Sequence, residues 1–241
     1  MYRTCHDSGR SEIQHTGNVG GNMEHVTVEK FGLGVRFSHW LHALLIIGFL
    51  VTGYGIYSGS YLFGDYAVNL ALHMIMAFVL LMDWIAHIYF MSVTGERRAI
   101  WISWKDIKDT ITIAKNFAFI SKEYPEYGTY DVKAGKFHGK YHPVIKFKYL
   151  GDLFFLVFAA ISGFSLYYPA VMSYVNYFMG FIGIELNLVW FRVIHFLVFV
   201  YFLCVMMFHA YLSLIPVNIE LLKAMIYGKE DVEVHVETDK P

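Results

Sequence analysis

Cysteine is scarce: the 241 residues contain two, Cys5 in a polar stretch and Cys204 inside an apolar run. Two distant thiols make neither a disulfide framework nor a zinc site, and the four thiolates that hold an iron–sulfur cluster are missing. No CxxCH occurs, the nearest approach being Thr4-Cys5-His6, which excludes a covalently attached c-type haem. Cys204 is read as a small packing residue. Charge is sparse too. Charged residues make up 16% of the chain and the net charge is -1, so the basic stripe of a nucleic-acid binder is absent and no nucleic-acid partner is expected. The stretches 58–65 and 170–187 contain no lysine or arginine at all. Prolines number five, and two of them, Pro169 and Pro216, fall at the ends of apolar runs, where a helix can stop. There is no internal repeat of fixed period. Residues 1–30 are polar throughout, so no secretory signal is expected ahead of the first apolar run. That tail is expected to be loosely ordered or held by a partner.

What is abundant is apolar surface: 56% of residues are hydrophobic and 18% aromatic, more than one water-soluble domain of this size can hide. Four stretches, near 36–57, 66–91, 149–169 and 188–213, are long enough to cross a hydrocarbon layer roughly 30 Å thick as helices. The expected fold is all-α, an integral membrane four-helix bundle occupying 31–230, with polar tails at 1–30 and 231–241. Between the second and third spans, 92–148 carries eleven lysines and arginines, from Arg97 to Lys148. The positive-inside rule then puts both termini and this long loop in the cytoplasm, and the two short loops outside. Within the long loop, WISWKDIKDTITIAKNFAF has the spacing of an interfacial helix or of a solvated, partly helical connector. YPEYGTYDVKAGKFHGKYHPVIK after it reads as an ordered loop returning to the membrane surface.

Of twelve histidines, six lie in the apolar runs: His39, His42, His73, His87, His195 and His209. Ionisable side chains within a span are costly, so each implies a partner. His195 and His209 are fourteen residues apart, close to four helical turns, which puts them on nearly one face about 21 Å apart along the axis. By depth, His73 matches His195 at the outer level and His39 matches His209 at the inner level. His87, fourteen residues after His73, competes with His39, and His42 is one turn from His39. Two neutral imidazoles on opposite sides of an iron porphyrin make a six-coordinate b-type haem suited to electron transfer, so two stacked haems b are expected. Small residues on the first span (Gly48, Gly53, Gly55) and the third (Ala159, Ala160, Ser162, Gly163) suit either a flat macrocycle or plain helix packing. Arg36 and Arg192 each precede a candidate ligand by three residues, and are candidates for haem propionates or for snorkelling to the interface. Asp83 inside the second span awaits a basic partner or a water path.

The segments RFSHW (36–40), LHMIMA (72–77), KYHPVIK (140–146), ISG (161–163), FHAY (208–211) and KAMIYGK (223–229) resemble the cytochrome b (gamma) subunit of membrane-bound respiratory formate dehydrogenases. The resemblance extends to related subunits of thiosulfate reductase and nickel-iron hydrogenase complexes and covers roughly 30–230. It implies two b haems, held by His39 with His209 and by His73 with His195, and assigns no ligand role to His87. It also implies an exchangeable menaquinone or ubiquinone beside the inner haem, near the loop that enters the third span. There the family carries a Tyr-Asn-Ala-Gly-Gln-Lys-like run. This chain reads Tyr141-His142-Pro143-Val144-Ile145-Lys146, so the tyrosine and lysine persist while the asparagine and glutamine do not. Quinone reduction takes up two protons, and His142, Lys146 and Asp152 are the candidate quinone and proton site, with Tyr141 a further contact.

The function expected is a membrane-anchoring dihaem cytochrome b of a formate-dehydrogenase-like complex in a bacterial or archaeal cytoplasmic membrane. It would pass electrons between an iron–sulfur or catalytic partner subunit and the quinone pool. The rivals are the same scaffold on a hydrogenase or a thiosulfate or polysulfide reductase and, from another class, a histidine-bearing metal or proton transporter.

Overall fold

The computed structural model describes residues 23–125, 127–131 and 136–235. Strand β1 (Met23–Glu29) leads into helix α1 (Leu33–Ser58), and α2 (Tyr66–Val93) returns beside it. The basic segment holds α3 (Arg97–Ile100), α4 (Trp104–Phe117) and the hairpin β2 (Thr129–Asp131) and β3 (Lys136–His138). Then come α5 (Pro143–Tyr167), α6 (Pro169–Gly180), α7 (Leu188–Leu214), a 3-10 turn at Pro216–Asn218, α8 (Ile219–Tyr227) and β4 (Lys229–His235).

Helices α1, α2, α5 and α7 are the four spans, each long and apolar enough to cross a membrane. Their ends follow from capping. Asp65 accepts a hydrogen bond from the Val68 N–H at 3.0 Å to start α2, and Asn187 accepts from Val189 and Trp190 to start α7. Gly59, at φ 73°, closes α1 in the left-handed conformation that glycine adopts without strain. Large side chains such as Leu44, Ile75, Ile85, Phe154 and Leu197 lie bare on the outer faces. An apolar belt of that extent is stable only against lipid, and the protein is a multi-pass integral membrane bundle.

Several expectations are corrected. The third span begins at Pro143, six residues ahead of 149, because His142 caps the helix and Pro143 takes its first turn, where no N–H is needed. The outer connection, read as a loop, contains α6. Asn176 clamps it back on itself, donating to the Leu186 carbonyl and accepting from the Leu186 N–H, both at 2.8 Å. The tails are not separate: β1 pairs antiparallel with β4, Val26 opposite Val232, so residues 23–29 and 229–235 form one ribbon. Residues 1–22 and 236–241, the rest of those tails, lie outside the described residues. Val28 of this ribbon packs on Tyr130, Phe137 and Val232, which brings the β1–β4 ribbon onto the β2–β3 hairpin of the basic loop.

Helix α4 carries a full capping box between Ser103 and Asp106. It buries Ile113 and leaves Trp104 exposed, and Trp101, Phe119 and Ile120 are exposed on either side of it. Inside the bundle, Leu45, Leu80, Trp84 and Leu156 form the packed core, with Phe49, Met76 and Phe202 against it. In sequence these residues fall between the two histidine levels, so an apolar layer lies between them.

Candidate functional site: two facing histidine pairs

Inner here denotes the level nearer the basic loop. At the inner level, His39 of α1 faces His209 of α7, with ring centroids 6.2 Å apart. At the outer level, His73 of α2 faces His195 of α7 at the same 6.2 Å. Two imidazoles bound on opposite sides of one metal ion, through metal–nitrogen bonds of about 2 Å, place their ring centres roughly 6 Å apart. Both pairs thus stand at the separation of an axial bis-imidazole site. Helix α7 contributes one ring to each level, which is what its fourteen-residue spacing requires.

Hydroxyl groups that local sequence patterns do not flag hold the outer pair. Thr52 Oγ1 lies 2.7 Å from the Gly48 carbonyl and 2.8 Å from His73 Nδ1. Ser162 Oγ lies 2.5 Å from the Phe158 carbonyl and 3.0 Å from His195 Nδ1. A carbonyl only accepts, so each hydroxyl proton is committed to the backbone and each Nδ1–H donates to the hydroxyl oxygen, with the Ala159 carbonyl a second acceptor beside His195. That selects the tautomer with an unprotonated Nε2, the form that binds a metal. The Asn69 amide, fully buried one turn from His73, donates to the Thr52 carbonyl at 2.7 Å and steadies the same turn of α1.

The small residues separate into two uses. A Cβ at Gly163 would sit 3.0 Å from His195 Cε1, and one at Gly53 would sit 3.5 Å from His73 Cε1, so these two glycines make room for the outer rings. Gly48 and Gly55 serve helix packing instead, against Met76 Sδ and against Ser60 and Asn69.

His42 and His87 turn elsewhere. His42 Nδ1 is 2.8 Å from the Ser38 carbonyl and 3.1 Å from Asp83 Oδ2. Both neighbours accept, so Nδ1 carries a proton, and Nε2 is buried with no partner among the described residues. Ser38 Oγ donates toward Asp83 at 3.4 Å and sits 3.2 Å from His87 Nδ1. Edge-on contacts of both rings to Trp84 and a tilted contact of His87 to Tyr149 enclose the group. Asp83 therefore has its basic partner in His42, and His87 faces α1 and Tyr149 rather than His209.

The residues expected at the quinone site do not converge on one another. His142 Nδ1 accepts from the Val144 N–H at 3.2 Å, and its Nε2 is 2.9 Å from the Tyr124 hydroxyl, so both ring nitrogens are engaged. Burial pushes its pKa down, in keeping with a neutral capping ring. Lys146 donates to Asp106 of α4 at 2.9 Å. Burial alone would raise the Asp106 pKa, but hydrogen bonds from Ser103 and Lys146 outweigh it and hold the carboxyl low. Asp152 accepts from Lys148 at 2.5 Å and from the Tyr201 hydroxyl of α7 at 3.0 Å, tying α5 to α7. The Tyr141 hydroxyl points to Glu96 at 3.4 Å, and burial followed by that carboxylate pushes its pKa up. Arg36 does not reach along His39: it donates to the Ile226 carbonyl at 2.7 Å and ties α1 to the end of α8. Arg192 is exposed on α7, one turn from His195.

Lipid-exposed helices around imidazoles paired at two depths define a class, the membrane-embedded cytochromes that carry electrons. Residues 30–228 match the family model described as prokaryotic cytochrome b561, and the chain belongs to that family. It is similar to the F420 non-reducing hydrogenase II cytochrome subunit of Methanosarcina mazei, with 31% identity over 156 residues, or 61% of this chain and 57% of that protein. The match therefore spans little more than half of that relative. The family implies b haem, and the residues present fit it: two facing imidazole pairs at the right separation, two of the rings flanked by glycine, and His39 Nδ1 buried without a partner among the described residues.

Proposed function

We propose that this chain is the membrane subunit of a hydrogenase-type oxidoreductase complex and that it binds two b haems, one between His39 and His209 and one between His73 and His195. The observation that carries the reading is the equal 6.2 Å separation of both pairs, one near each end of α7. A haem held by two imidazoles supplies one-electron redox chemistry with no open position for a substrate. Thr52 and Ser162 hold the outer rings in the metal-binding tautomer, and Gly53 and Gly163 leave space beside them. The apolar layer around Leu45, Leu80 and Leu156 keeps water from between the levels.

The basic face is the cytoplasmic side on the charge pattern. A catalytic partner, with its iron–sulfur subunit, docks at the outer level and exchanges electrons there, because the scarce cysteines leave such clusters to another chain. A lipid-soluble quinone exchanges electrons near the inner level. Its two protons come through carboxylate and imidazole groups gathered there: Asp152 with Lys148, and Asp83 with His42. His142 and Lys146 hold the start of α5 in place beneath that site. The hydrogenase-type assignment is favoured over a formate dehydrogenase partner by the similarity to the Methanosarcina mazei cytochrome subunit. A metal transporter needs a cage of converging ligands, and among the described residues no three His, Cys, Asp or Glu side chains form one.

The test is a pyridine haemochrome assay on the purified protein, together with a dithionite-reduced spectrum. Two haems b per chain and a sharp alpha band are expected, and a colourless preparation or one equivalent would overturn the reading.

A further inference from the structure

The two histidine levels differ in how the rings are held. At the outer level both Nδ1–H groups donate to a hydroxyl oxygen whose own proton is tied to a backbone carbonyl, through Thr52 and Gly48 on one side and Ser162 and Phe158 on the other. At the inner level His39 Nδ1 is buried and has no partner among the described residues. Each hydroxyl comes from the helix neighbouring its histidine: α1 serves the α2 ring and α5 serves the α7 ring. Both hydroxyls are almost wholly buried, Thr52 at 2% exposure and Ser162 at 1%, so water does not compete for them.

An imidazole that donates from Nδ1 becomes a stronger electron donor through Nε2. A stronger donor stabilises the oxidised iron over the reduced one and lowers the reduction potential. We infer that Thr52 and Ser162 are positioning residues that set the potential of the outer centre below that of the inner centre, so that one-electron exchange between the levels runs downhill toward the basic face. This rests on the two-haem reading above. It assigns to two hydroxyls a role that neither the family match nor the similar cytochrome subunit supplies.

The experiment is a potentiometric titration of both b components in the full chain within its complex, in wild type and in Thr52→Val, Ser162→Ala and Thr52→Ser. His195→Ala identifies which component is the outer one by its loss. Removing either hydroxyl should shift the outer midpoint upward, leave the inner midpoint in place and change the low-spin ferric EPR signal of the outer component alone. Thr52→Ser, which keeps the acceptor, should restore both. Loss of the outer haem in Thr52→Val that Thr52→Ser repairs would also support the role, whereas a loss that Thr52→Ser fails to repair would overturn it. An unmoved outer midpoint with both haems present defeats this inference and leaves the proposed function standing. Fewer than two haems in the wild type defeats both.

Discussion

The imidazoles of His39 and His209 stand with ring centroids 6.2 Å apart, although 170 positions separate them in the chain. His87, at a similar depth on α2, instead packs against His42 at 5.9 Å. Alanine substitution distinguishes the two. His39→Ala and His209→Ala should each remove one of two haem equivalents in a haemochrome assay, and His87→Ala should keep both. Retention of two equivalents by His39→Ala would defeat the inner assignment.

Space beside the outer pair is limited. A methyl group on Gly163 would lie 3.0 Å from His195 Cε1, closer than the ring can accept without moving, while one on Gly53 would make an ordinary 3.5 Å contact with His73. Gly163→Ala should therefore lower outer haem occupancy or perturb its EPR signal more than Gly53→Ala does. Equal behaviour of the two variants would show that the ring at 195 is not so confined.

The Lys146–Asp106 ion pair joins α5 to α4, with both side chains largely hidden from solvent, 11% and 9% exposed. Lys146→Met leaves the Asp106 carboxylate without its cation and should cost about 2 kcal/mol. Asp106→Asn in the same background should recover part of that loss. Thermal unfolding of the four members of the double-mutant cycle measures the coupling, and strictly additive effects would show the contact to be idle.

The pH response of the α5 start follows from His142. Its Nδ1 can accept from the Val144 N–H only when unprotonated, and burial holds its pKa below the ordinary 6.5. As pH falls through that value, the unfolded segment takes up a proton that the folded cap does not, so the stabilisation is full above about pH 6.5 and is lost below it. Hydrogen exchange of residues 144–147 should be slow at about pH 7.5 and faster at about pH 5.5. His142→Asn, which keeps a capping acceptor without titrating, should flatten that dependence.

Much of the scaffold was legible from periodicity and composition. The four spans match expectation to within a few residues, except at the His142–Pro143 start, where a cap and a proline extend α5 past the apolar run. The β1–β4 ribbon was not legible, because its two strands lie in polar tails some two hundred residues apart and pair through backbone groups that carry no side-chain signal. The hydroxyl bonds of Thr52 to His73 and of Ser162 to His195 escaped for a related reason. A hydroxyl in a span ordinarily bonds its own helix four residues back, as both do, and only the neighbouring helix reveals the second partner.

The amino-acid sequence by itself determined how many times the chain crosses the membrane, which loops carry the positive charge, and that His195 and His209 share a face at two depths. Those properties depend on hydrophobic length, charge and the fixed rise of an α-helix, all local quantities. Only the tertiary structure decided that α1 turns His39 toward α7 while α2 turns His87 away, and that Lys146 and Asp152 are bound to Asp106 and Tyr201. The rotation of each helix about its own axis is set by side-chain packing among several helices at once, and no single helix encodes it.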